Sequence, residues 1–140
     1  MFVVDSGTVV TASLSKSAFE LFGAKRLVGP PLLWPESTSV LHEMRARKLI
    51  SPQLVKIAVD RIKFARIAPR EPGELLEEAW KVADQLGWAR TYSAHYVALA
   101  RLLKCPLVTI DPRVKETASG LVEVIGPQDV ADLPPRDSGL

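Results

Sequence analysis

The chain has 140 residues, 47% hydrophobic and 24% charged, with a formal net charge of +2, enough apolar material for one core and too little charge to indicate nucleic acid by itself. No apolar run approaches the ~18 residues of a membrane span, and Met1-Phe2-Val3-Val4-Asp5 brings a carboxylate where a signal peptide would still be apolar, so a cytoplasmic protein without a membrane partner is expected. The single cysteine, Cys105, excludes an internal disulfide and a cysteine zinc site and is expected to serve as a small buried hydrophobe.

In chain order, Phe2 to Val4 form an apolar run that ends at Asp5, as a buried strand does when it delivers a polar residue to a sheet edge. A Ser/Thr-rich turn is expected next, then a first helix around Ala18, Phe19, Leu21 and Phe22, closed by Gly23, and a short strand near Leu27 and Val28. Leu33, Ser37, Val40, Leu41 and Met44 recur at helical spacing from about Pro35. Pro52 opens a third helix through Leu54, Val55, Ala58, Val59 and Ile62, running into a strand around Phe64 to Ile67 that Pro69 and Pro72 end.

From Gly73 to Leu86 the pattern is helical again and stops at Gly87. Tyr92 to Leu103 is apolar on most sides, the mark of a helix buried against a sheet. Strands are expected over Leu107 to Ile110, ending at Asp111, and over Leu121 to Ile125. Strands alternating with helices imply right-handed crossovers and a parallel sheet covered on both faces, an α/β fold of three α/β/α layers. One domain over 1–133 and a flexible tail over 134–140 are expected.

Charge is uneven along the chain. Arg45, Arg47, Lys48, Lys56, Arg61, Lys63, Arg66 and Arg70 face the single acid Asp60 between positions 45 and 70, a stretch that would suit a phosphate backbone or form merely solvated helix faces.

Functional groups of parallel sheets collect beyond the carboxyl ends of the strands, and Asp5 and Asp111 each follow an apolar strand. Two converging carboxylates repel one another unless a hard cation such as Mg²⁺ or Mn²⁺ neutralises them; a lone strand-terminal Asp is more often a turn or cap residue. Glu36, in Leu32-Leu33-Trp34-Pro35-Glu36, is the third candidate, although an acid in a first helical turn is also favoured by the helix dipole. Its rival Glu43 lies two turns on, roughly 10 Å along the same face, too far for both to serve one ion.

Four segments in order, Val3-Val4-Asp5, Leu33-Trp34-Pro35-Glu36-Ser37-Thr38-Ser39-Val40-Leu41, Thr91-Tyr92-Ser93-Ala94-His95-Tyr96-Val97-Ala98-Leu99-Ala100 and Pro106-Leu107-Val108-Thr109-Ile110-Asp111, resemble the PIN domain of VapC-type toxins over nearly the whole chain. The resemblance implies a central parallel sheet of five strands, a Mg²⁺-dependent endoribonuclease with RNA as substrate, a homodimer, and inhibition by a VapB-like antitoxin. It implies acidic site positions at Asp5, Glu36 and Asp111, the expected metal ligands, and a fourth at Ser93, where the family carries Asp.

Serine and aspartate are both good helix N-caps, so the substitution is expected to keep the fold while removing a charge and weakening the site. His95 is expected to point elsewhere and Asp84 to belong to the preceding helix. Thr8 and Thr109 are candidates for hydrogen bonds to the acids. The alternative is a catalytically impaired PIN-like module that binds RNA or an antitoxin. Asp5-Ser6-Gly7-Thr8-Val9 partly resembles the first motif of haloacid-dehalogenase-type phosphatases, but Gly7 stands where those enzymes need a second Asp. No strand is followed by the glycine pattern of a dinucleotide or P-loop site.

Overall fold

The structure, a computed structural model, describes residues 1–134; apart from Pro134, the tail expected over 134–140 lies outside the described residues. Strands β1 (Phe2–Val4), β2 (Leu27–Gly29), β3 (Ile67–Pro69), β4 (Leu107–Val108) and β5 (Val124–Ile125) alternate with α1 (Ser6–Leu14), α2 (Leu33–Ala46), α3 (Pro52–Phe64), α4 (Leu75–Leu86), α5 (Tyr92–Leu103), α6 (Pro112–Ala118) and α7 (Pro127–Asp132). The sheet is parallel throughout, in the order β3-β2-β1-β4-β5, with Val3 opposite Val28 on one side and Leu107 on the other. The α/β class and the five-stranded parallel sheet are therefore as expected.

The order of the strands decides where the helices go. Successive steps from β1 to β2 to β3 run one way across the sheet and the steps from β3 to β4 to β5 run back, so right-handed crossovers place the two sets of helices on opposite faces. In agreement, α1, α2 and α3 pack on one another, while α4 packs on α5 and α5 on β1 and β4. The reversal falls between β1 and β4, and the crevice at such a switch point is where parallel sheets hold their ligands.

Burial follows the apolar pattern. The central strands β1 and β4 are buried throughout, and α5 buries Ala94, Tyr96, Val97, Ala98, Leu99 and Ala100, as its all-round apolar character requires. Its ends match the expectation, Lys104 closing it in the left-handed conformation. Pro69 ends β3, an edge strand, where a missing N–H costs no ladder bond.

Several expectations need correction. The Ser/Thr-rich segment after Asp5 is helix α1, not a turn. Its Gly, Thr and Val residues are poor helix formers, but Asp5 caps Thr8 N–H and the helix buries Thr8, Val9, Val10 and Ser13. Ala18–Phe22, expected as the first α-helix, is a short 3₁₀ turn. Phe64 ends α3 instead of opening β3. The last two strands are shorter than expected, β4 at its end, where the chain turns after Thr109 N–H bonds the Ile125 carbonyl, and β5 at its start, and α6 and α7, with Pro112 and Pro127 at their first positions, were not expected at all.

Gly29, the last residue of β2, shows how tightly α2 is seated. A Cβ there would stand 3.3 and 3.4 Å from Leu33 Cβ and Cγ and closer still to Cδ2, and Leu33 is only 1% exposed, so it has nowhere to swing. Gly29→Ala is expected to push back the first turn of α2 and to cost about 1–3 kcal/mol; an unchanged denaturation midpoint would contradict that packing.

Candidate active site

Asp5 sits where β1 becomes α1. Its Oδ1 accepts hydrogen bonds from Thr8 N–H at 3.0 Å and from Thr8 Oγ1 at 2.7 Å, and its Oδ2 accepts from Thr109 Oγ1 at 2.5 Å. The same Thr109 oxygen accepts Asp111 N–H at 3.1 Å, so one hydroxyl joins the residues that end the two central strands. Thr8 Oγ1 also lies 3.2 Å from the Val108 carbonyl, which ties α1 to the end of β4. Both threonines thus do what their positions suggested.

Asp111 caps α6, accepting Arg113 N–H on Oδ1 at 2.9 Å. Glu36, in the first turn of α2, accepts two hydroxyls on a single oxygen: Ser6 Oγ donates to Oε1 at 2.6 Å and Tyr96 Oη at 2.8 Å. Asp5, Glu36, Ser93 and Asp111 line one cavity of about 190 Å³ together with Ser6, Tyr96 and the apolar walls of Leu107, Ile110 and Val114. Ser6 and Tyr96 were not anticipated; Ser6 is next to Asp5, and Tyr96 falls three residues after Ser93 and so on the same helical face.

Ser93 needs a correction. The N-cap of α5 is Thr91, and Ser93 is inside the first turn, exposed on the cavity side, without a capping role. His95, expected to point elsewhere, is not among the residues lining the cavity; burial lowers its pKa and the charge of Glu36 opposes the shift. Glu43 is not in the cavity; it pairs with Arg47 at 2.8 Å on the surface. Arg61, from the basic stretch, donates to the Ser13 and Ser15 carbonyls at 3.0 and 2.7 Å at the end of α1, whereas Arg45, Arg47, Lys48, Lys56, Lys63 and Arg66 are exposed.

Burial raises the Asp5 pKa from its ordinary value of 3.8; the threonine hydrogen bonds work against this, and the charge of Asp111 adds to it. Burial, then the negative Glu36, push the Tyr96 phenol well above its ordinary value of 10.0, so it remains a donor. The donor set is all carboxylate oxygen, the type that Mg²⁺ accepts. Among the described residues no three His, Cys, Asp or Glu side chains stand together so as to hold a metal ion; it is the chemistry of the donor set, and not a preformed cluster, that suits Mg²⁺.

No family model matches the chain. It is 31% identical over 118 residues to a VapC ribonuclease of Mycobacterium bovis, covering 84% of this chain and 91% of that one. The ribonuclease VapC9 of Mycobacterium tuberculosis matches with the same identity and coverage. The chain belongs to the VapC family of PIN-domain ribonucleases. Among solved structures, PAE2754 of Pyrobaculum aerophilum superimposes with a TM-score of 0.69 at 18% identity, over 93% of this chain and 91% of that one. A chain of FitAB bound to a DNA fragment gives 0.60 at 14% identity, over 97% and 99%. These two likenesses concern the fold alone. In this VapC-family chain the cavity lies at the switch point of that fold, between Asp5 after β1 and Asp111 after β4.

The buried Asp5 makes stability depend on pH. Its folded-state pKa lies above the unfolded value, so the folded state holds the proton more tightly, and stability falls as pH rises from about 3.8 through the folded value. Asp5→Asn keeps the cap and removes the charge. It is expected to unfold at a higher temperature than the parent at pH 7, without added metal, with the difference shrinking on acidification. A variant less stable than the parent at neutral pH would contradict this assignment.

Proposed function

We propose that the chain is a Mg²⁺-dependent endoribonuclease toxin of a VapBC-type pair, with Mn²⁺ as an alternative ion and with activity weakened by serine at position 93. The observation that carries the reading is the cavity in which Asp5, Glu36 and Asp111 line the switch point with Ser93 among them. Asp5 and Asp111 would hold the ion, with Glu36 completing the set. When bound, the ion would supply an activated water and offset charge developing on the phosphoryl oxygens. Alternatively, Glu36 would orient the water through Oε2, the oxygen that carries neither of its two hydrogen bonds among the described residues. Thr8 and Thr109 hold Asp5 in place, and Ser93 can hold a water through its hydroxyl. Leu107, Ile110 and Val114 wall the cavity, strengthening the electrostatics within it.

Exposed Arg45, Arg47, Lys48 and Lys56 offer phosphate contacts to RNA. A groove of about 430 Å³ lined by Phe19, Phe22, Leu27, Phe64 and Ile67, with Lys25, Arg61 and Arg66 against the single acid Glu20, suits an apolar, acidic segment of a VapB-like antitoxin. Leu76 and Trp80, one turn apart on α4 and 74% and 66% exposed, offer an apolar patch to a second copy in a homodimer. Among the described residues no helix is long and apolar enough to cross a membrane, and the reading places the protein in the cytoplasm with its RNA substrate.

The second reading, an RNA- or antitoxin-binding module with little catalysis, is favoured by Ser93, which leaves the cavity a carboxylate short. Titration of Mg²⁺ and Mn²⁺ against single-stranded and structured RNA separates the two. Metal-dependent cleavage that falls at least ~100-fold in Asp5→Asn and rises ~10 to 100-fold in Ser93→Asp supports the enzyme. Binding of RNA without cleavage by parent or Ser93→Asp at any metal concentration supports the module.

A further inference from the structure

Glu36 is held asymmetrically. Both of its hydroxyl partners converge on Oε1, and among the described residues no hydrogen bond reaches Oε2. The partners come from different layers: Ser6 opens α1, and Tyr96 projects from the second turn of α5, on the opposite face of the sheet. The chain separations of 30 and 60 residues make the arrangement wholly tertiary. A carboxylate oxygen has two lone-pair sites, and on Oε1 both are taken. Tyr96 is 3% exposed and cannot rotate away without disturbing the core.

We propose that Ser6 and Tyr96 are positioning residues that restrict Glu36 to one-oxygen contacts in the cavity and thereby select a small octahedral cation over a large one. The inference rests on the metal-dependent reading of this site. Mg²⁺ demands near-ideal octahedral geometry and is bound through a few carboxylate oxygens and water, whereas Ca²⁺ takes more ligands and readily uses both oxygens of one carboxylate. With Oε1 committed to two hydroxyls, Glu36 offers Oε2 alone, which meets the first demand and fails the second. The same clamp fixes the side-chain torsions, so that the ordering cost of Glu36 is met in folding and not on binding.

The test is metal binding by calorimetry, without RNA, to the full chain and to Ser6→Ala, Tyr96→Phe, the double variant, Ser6→Thr and Glu36→Gln, using Mg²⁺, Mn²⁺ and Ca²⁺ in turn. The parent is expected to bind Mg²⁺ and Mn²⁺ more tightly than Ca²⁺. The double variant is expected to lose ~10 to 100-fold in Mg²⁺ affinity and less in Ca²⁺ affinity, while Ser6→Thr, which keeps the hydroxyl, restores much of the parent preference relative to Ser6→Ala. A general loosening of the fold would lower all three affinities together and overturn the selection. Should Tyr96→Phe fail to fold, Ser6→Ala carries the comparison alone, since Ser6 lies at the cavity edge. If Glu36→Gln changes metal affinity but removal of the hydroxyls leaves both affinity and preference intact, the positioning role is wrong and the site stands. If Glu36→Gln changes nothing either, the metal reading itself fails.

Discussion

A buried carboxylate at the point where the sheet changes direction is the constraint around which this molecule is arranged. Asp5 ends β1, caps α1 through Thr8 and is tied to the end of β4 through Thr109. Charge in an apolar interior is costly unless it is hydrogen-bonded, so a chain that keeps Asp5 must bring the two threonines to it. Doing so fixes the direction in which α1 leaves the sheet and the level at which β4 stops. Thr109 serves twice, donating to Asp5 and accepting from Asp111 N–H, and the second acid of the cavity is thereby positioned by the same hydroxyl that steadies the first.

The two faces of the sheet meet at Glu36. Helices α1 and α2 lie on one face and α5 on the other, and Ser6, Glu36 and Tyr96 close over the end of β1 where they come together. A hydrogen bond to a charged group contributes about 1.5–3 kcal/mol; of the two on this oxygen, the one from Tyr96 links the α5 layer to α2, while the one from Ser6 joins α1 to α2 within a single layer. Rigidity and site geometry have a common source here. The tight seating of α2 against Gly29 adds a steric limit to the same helix, one turn before Glu36.

Much of this was legible along the chain. Asp5 and Asp111 announce themselves because each comes at the end of a largely apolar segment, Phe2 to Val4 and Leu107 to Ile110, and α5 because twelve residues are apolar on nearly every side. The order of these signals sufficed for a parallel α/β sheet with acids at its carboxyl edge. Local propensity misled at α1, where Gly7, Thr8, Val9 and Val10 look like turn or strand and become helix only because a cap and a buried face stabilise them. The end of β4 is overextended for a related reason: Ile110 is apolar but 48% exposed, since it lies beyond the last bond to the neighbouring strand, from Thr109 N–H to the Ile125 carbonyl. The partners of Glu36 could not be read at all, because nothing local links a serine, a glutamate and a tyrosine spread over 90 residues; only the fold brings them to one oxygen.

Position 93 shows how separable the site's charge is from the fold. The N-cap position of α5 is Thr91, whose side chain makes no cap hydrogen bond, and Ser93 is an exposed residue in the first turn with no cap bond to lose. Aspartate there would be tolerated by the helix, indeed favoured by its dipole, so local stability does not decide the residue. What it decides is the electrostatics of the cavity. A further carboxylate beside Asp5, Glu36 and Asp111 would add like-charge repulsion to the burial that already raises the Asp5 pKa, making the empty site less stable and the demand for a cation greater. Serine does the reverse, adding no charge and none of that repulsion. The charge of the cavity can therefore change at position 93 without a change in the architecture.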